Sequence, residues 1–138
     1  MLIPENVPDQ AIITFPEGLP GLASSQKFVI LRPDDLEPIV VLQSVEDGEV
    51  SVPAIPVHAV KPDYRLILSE QDRDALGDAD DKPDSEFVCL AVLILPGSDH
   101  PAACNLFAPV VINPVTMLGR QVVQLGSEYQ MLQPLEAA

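Results

Sequence analysis

His100 and Cys104 stand four residues apart beside Asp99, a spacing that could supply a thiolate–imidazole pair or two ligands of a zinc site. A closed four-ligand site would also need His58 and Cys89, the only other His and Cys of the chain. Cys89 lies inside the apolar run 87–95, where a thiol reads as inert core. A second candidate is a calcium loop. Asp72, Asp74 and Gly77 fall at positions 1, 3 and 6 of such a loop, but position 5 is Leu76 and position 12 is Pro83, so the bidentate carboxylate is missing. The eight acids from Glu70 to Glu86, set against Arg73 and Lys82, therefore read as a solvated acidic loop or a docking surface for a cationic partner. No nucleophile elbow and no phosphate-cradling glycine loop is present. Carboxylates are so many that no pair stands out as general acid and base. The spacing thus names no catalytic group, no metal and no cofactor, and a small metal-binding or enzymatic β domain stays as the alternative to a binding role.

The elements that would position these residues are short. The chain has 138 residues, 47% of them apolar, enough for one domain spanning 1–138 with its own core. Fifteen prolines punctuate runs rich in Val and Ile. The runs predict strands at Ala11–Phe15, Lys27–Arg32, Ile39–Ser44, Glu49–Val52, Tyr64–Leu68, Phe87–Leu95, Phe107–Ile112 and Gln121–Leu125. An all-β sandwich or small barrel fits that series. The segment Phe87–Leu95 does not alternate, so both its faces must be covered and it is expected to be the central strand. Ser69 with Asp72 makes a capping box and Gly77 a stop signal, which predicts one short helix between them. Pro109 cannot donate to a ladder, so its strand lies at an edge or is bulged there, and Asn105 and Asn113 are expected to turn the chain at either end. Gly18-Leu19-Pro20-Gly21 reads as a tight turn, and Gln43 as either an exposed recognition donor or a donor to free backbone groups. A simple hairpin centred between Asp99 and His100 would set Cys89 against Val110 and Cys104 against Leu95, leaving the cysteines unpaired.

Charge excludes more than it names. Seven Lys and Arg against 21 Asp and Glu give a formal charge of −14, which excludes direct nucleic-acid binding, because such binding needs a basic footprint. Six aromatics without a Trp leave little for base stacking. The opening Met1–Glu5 has no signal-peptide pattern, and the longest apolar run, of nine residues, is too short to span a membrane, so a cytoplasmic protein with reduced thiols is expected.

Several segments together resemble the flagellar assembly factor FliW family: Phe15-Pro16-Glu17-Gly18-Leu19-Pro20-Gly21, Leu42-Gln43-Ser44-Val45-Glu46-Asp47, Pro62-Asp63-Tyr64, the run from Asn105 through Leu106, Phe107 and Pro109 to Asn113, Gly119-Arg120-Gln121, and Tyr129. Leu22, Ile39, Gly48 and Val52 depart from the residues frequent in that family. The resemblance implies a small, mostly antiparallel β barrel and a non-enzymatic regulator; a monomer without cofactor is expected. Its implied partners are flagellin, bound before export, and the translational repressor CsrA, bound and antagonised when flagellin is scarce. Candidate contacts are Phe107 and Val111 for an apolar docking surface. Asp78, Asp80, Asp81 and Asp84 are candidates for lowering the potential around CsrA, so that RNA binds it less.

Overall fold

Alternating Val, Ile and Leu, interrupted by Pro and Gly, make eight strands among the described residues, and the inward positions of seven of them fill a barrel. The computed structural model describes residues 4–8, 10–19, 22, 24–79 and 81–135, so Pro20, Gly21 and Asp80 lie outside the described residues. Strands β1 (Ile13–Thr14), β2 (Lys27–Leu31), β3 (Val40–Ser44), β4 (Ser51–Pro56), β5 (Val88–Ile94), β6 (Ala103–Asn113) and β7 (Leu118–Gln121) follow the spatial order β5-β4-β3-β2-β1-β7-β6. A further β5–β6 pairing closes the ring. All seams are antiparallel except β1–β7, a single parallel pair, Thr14 with Leu118. A short β8 (Gln133–Pro134) adds to β6 beside Ala103 and Cys104.

Two cores share the barrel wall. Phe15, Phe28, Leu42, Leu90, Val110 and Ile112 fill the barrel, with the Phe15 and Phe28 rings edge to face at 5.5 Å. Outside the wall, Val57, Tyr64, Leu66, Leu76, Phe87 and Leu106 pack against Cys89 and Val111. The unbroken apolar character of β5 follows directly: Val88 and Leu90 point into the barrel while Cys89 and Ala91 point into the outer core. That strand is covered on both faces as expected, although a closed ring has no central strand.

The capping box at Ser69 is present, and it starts α2 (Glu70–Ala75), with Gly77 at φ 68° ending the turn that follows. A second short helix, α1 (Val57–Val60), joins the one expected from the sequence. Other boundaries move. The first strand shrinks to Ile13–Thr14, the fourth starts at Ser51, not Glu49, and the strand expected at Gln121–Leu125 lies earlier, at Leu118–Gln121. Tyr64–Leu68 is extended but enters no ladder, because side chains take its backbone groups: Tyr129 Oη accepts from the Arg65 amide at 2.8 Å, and the Gln124 carboxamide bonds the Ile67 N–H at 2.8 Å and carbonyl at 2.9 Å.

Gly119 is required by a close approach. A Cβ there would sit 2.4 Å from the Phe15 ring, which the surrounding barrel core holds in place. Gly119→Ala is expected to lower unfolding free energy by about 1–3 kcal/mol, the usual cost of overpacking, as read by urea denaturation; an unchanged midpoint would refute the steric argument.

Candidate functional site

The hairpin of β5 and β6 is irregular, and its irregularity organises the site. Leu90 pairs with Val110, but the next pair is Val92 with Asn105, so the single residue Ala91 faces the four residues 106–109. A bulge of that size exposes backbone polar groups that must find partners, and each finds one. Asn105 Oδ1 accepts from the Phe107 and Ala108 amides, both at 3.0 Å. Tyr64 Oη donates to the Leu106 carbonyl at 2.7 Å, and Gln121 Nε2 to the Ala108 carbonyl at 2.9 Å. The Leu106 amide donates to the Gln130 carbonyl, while the Phe107 and Pro109 carbonyls accept from the Gln124 and Val122 amides. Pro109, with no N–H to satisfy, sits inside the bulge, as its residue type requires.

Asn105, Tyr64 and Gln121, singled out by motif, are thus brought together as the struts of one bulge. Gln124 and Tyr129 belong to the same set. Tyr129 stacks on Tyr64 with centroids 4.2 Å apart, and Gln124 is buried. Sequence reasoning missed Gln124 because a buried Gln in a short apolar segment looks like any strand residue. Desolvation in the outer core pushes the Tyr64 phenol up, so it stays a donor. The hairpin register is also corrected: Cys89 pairs with Val111 and Cys104 with Leu93, since the simple hairpin expected from the sequence has no room for the bulge. The two thiols remain unpaired to each other, as expected.

Leu19, Leu22, Val52, Val92, Ile94, Asn105, Val110 and Gln121 line a cleft of about 220 Å³ beside the bulge. It brings the Gly18-Leu19 turn to the Asn105 segment. Gly18 adopts φ 68° and its amide donates to the Phe15 carbonyl at 2.8 Å. Gln43 and Ser44 stand elsewhere, at the end of β3 beside the β3–β4 turn. Gln43 Nε2 bonds the Ser44, Gly48 and Val50 carbonyls, and Ser44 Oγ accepts from the Glu46 and Asp47 amides, so Gln43 serves the backbone. Of the docking candidates, Phe107 is half-buried, whereas Val111 is wholly buried in the outer core.

The acidic stretch is partly interior. The Asp78 side chain is 1% exposed and lies 2.6 Å from Arg73 Nη1. Burial pushes its carboxyl up, but the Lys82 amide and the Arg73 guanidinium outweigh that and hold it below the ordinary carboxylate value. Arg73 also donates to the Lys82 carbonyl at 2.7 Å and approaches Asp81 and Asp84 at 3.6 and 3.7 Å. Lys82 Nζ reaches Asn113 Oδ1 at 2.5 Å and sits 4.8 Å over the Phe87 ring, and Asn113 Nδ2 donates to the Leu76 carbonyl at 2.8 Å. The calcium frame therefore falls on a helix whose Asp72 serves the cap and lies 3.3 Å from Arg120.

His58, His100, Cys89 and Cys104 are engaged separately. His58 Nε2 bonds the Tyr64 carbonyl, His100 Nδ1 the Pro101 carbonyl, and both thiols are buried. Burial pushes both up, Cys104 to about 11, so neither is a thiolate near neutrality. Among the described residues no three His, Cys, Asp or Glu side chains converge as metal ligands, and no helix is long and apolar enough to cross a membrane.

The fold is a closed seven-stranded β barrel with a strutted bulge and an apolar cleft. The FliW family profile, described as FliW protein, matches residues 4–135. The chain belongs to the FliW family. It is 33% identical to the flagellar assembly factor FliW of Thermotoga neapolitana (strain ATCC 49049) over 91% of this chain and 83% of that relative. It is 35% identical to that of Natranaerobius thermophilus over 94% of this chain and 84% of the relative. A crystal structure of the flagellar assembly factor FliW superposes with a TM-score of 0.79 at 25% identity, covering 92% of this chain and 86% of that one.

Proposed function

We propose that this protein is a non-enzymatic flagellar assembly factor acting in the cytoplasm, where it binds flagellin and, when flagellin is scarce, binds and antagonises CsrA to relieve repression of flagellin translation. The observation that carries this reading is the FliW family match over residues 4–135. The charge of −14 adds a physical component: an anionic protein docked on a basic RNA-binding partner lowers the local potential that holds phosphates. Competition tests the switch. Purified flagellin should displace CsrA from this protein; simultaneous binding of both would refute mutual exclusion, and binding of neither would overturn the reading.

Charge is tested separately. Asp81 is 88% exposed and Asp84 45%, so they can be neutralised without opening the fold, whereas Asp78 is buried against Arg73 and is left intact. Asp80→Asn, Asp81→Asn and Asp84→Asn together should weaken displacement of RNA from CsrA several-fold at low salt and little at high salt. Displacement that is unchanged at every salt concentration would remove electrostatics from the mechanism.

A further inference from the structure

The barrel wall is split where the cleft lies. The β4–β5 ladder ends at Ala54 with Val92, although β4 begins at Ser51 and β5 runs to Ile94. On their other sides these stretches are paired, Ser51–Pro53 to β3 and Leu93–Ile94 to β6. The backbone facing the gap has no strand partner among the described residues. Backbone groups alternate sides along an antiparallel strand, so Ile94 serves Ala103 of β6, and the groups of β5 that face the gap beyond the last β4 pair are the Leu93 carbonyl and the Leu95 amide. Val52, Val92 and Ile94, the residues along the gap, are among those that line the apolar cleft.

Two polar groups at the cleft have capacity left. Asn105 uses Oδ1 on two amides and Gln121 uses Nε2 on one carbonyl. Asn105 Nδ2 and Gln121 Oε1 remain, one donor and one acceptor, which matches a peptide unit. At about 220 Å³ the cleft is below the ~300 Å³ of ordinary small-molecule sites and suits a side chain of a larger partner. The same end of the barrel carries exposed Asp47 and Glu49 before β4 and Asp99 after β5.

We infer that this split is a docking site for an extended segment of a partner protein. The segment adds as a strand along Leu93–Leu95, lays an aliphatic side chain in the cleft, and sets a basic residue toward Asp47, Glu49 or Asp99. The inference goes beyond the function proposed above and requires neither named partner.

The probe is the end-blocked peptide Lys-Val-Lys-Leu-Lys-Val-Lys, with a control in which Ser replaces Val and Leu, each titrated into the full chain. The first peptide should bind, slow amide exchange at Leu95 at least tenfold, and lose at least tenfold in affinity with Ile94→Asn or Leu22→Asn at unchanged melting temperature. The exchange measurement on the unaltered chain decides the matter should either variant unfold. Equal binding of both peptides would reduce the effect to bulk charge and overturn the inference. No binding, or binding without protection at Leu95, would overturn it too. Self-association of the chain abolished by Ile94→Asn would assign the split to a second copy and likewise overturn it.

Discussion

Arg73→Ala should destabilise the protein by about 1.5–3 kcal/mol, the usual worth of hydrogen bonds to a charged group, or roughly 5–10 °C in melting temperature for a domain of this size. Asp78, whose side chain is 1% exposed beside Arg73, would lose the guanidinium 2.6 Å away and with it its charge partner. The variant also loses the bond to the Lys82 carbonyl, so the turn that sets Lys82 over Phe87 loosens with it. Adding Asp78→Asn should recover much of the loss, because a neutral amide is far cheaper to bury than a lone carboxylate. The pH dependence has a definite sign. The Asp78 carboxyl is held below its ordinary value, so its contribution is present above that value and disappears as pH falls through the lowered native one. Thermal melts from pH 7 down to pH 3 should therefore show the gap between the unaltered chain and Arg73→Ala narrowing with acid. A constant gap would mean that Asp78 is not the group responsible.

Asn105→Ala is the second large effect, about 2–4 kcal/mol, because it leaves the Phe107 and Ala108 amides without their acceptor and each such loss costs ~1–3 kcal/mol. Asn105→Asp separates shape from recognition. An aspartate keeps the oxygen that both amides use, so stability should stay within about 1 kcal/mol of the unaltered chain, while the Nδ2 donor at the cleft is lost. Urea denaturation and peptide titration of the two variants together make the check. If Asn105→Asp unfolds as readily as Asn105→Ala, the oxygen is not the strut.

What could be read beforehand was whatever depended on neighbours along the chain. Ser69 and Asp72 cap α2 as their spacing demands, and β2, β3 and β5 lie where their Val and Ile runs are. Pro109 announced an irregularity, and Asn105 a turn. The size of the bulge was not legible, because its backbone is satisfied by residues as distant as Tyr64 and Gln121, and no local pattern encodes four residues facing one. For the same reason Tyr64–Leu68 looked like a strand: its apolar alternation is real, but Gln124 and Tyr129 take the place of a neighbouring strand. β8 is only Gln133–Pro134, too short to leave a pattern. The acidic stretch was legible as charge but not as structure, since only the fold places Asp78 inside. The cleft combines the Leu19 turn, β4, β5 and β6, and such a meeting is a property of the closed ring.

The one parallel seam of that ring joins Thr14 to Leu118. A ribosome delivers residues in order, at roughly 5–20 per second, so β1 must wait, unpaired on one side, for several seconds until β7 emerges. Until β7 has been made the ring stays open beside β1, and the Phe15 and Phe28 face lacks the cover that β6 and β7 supply.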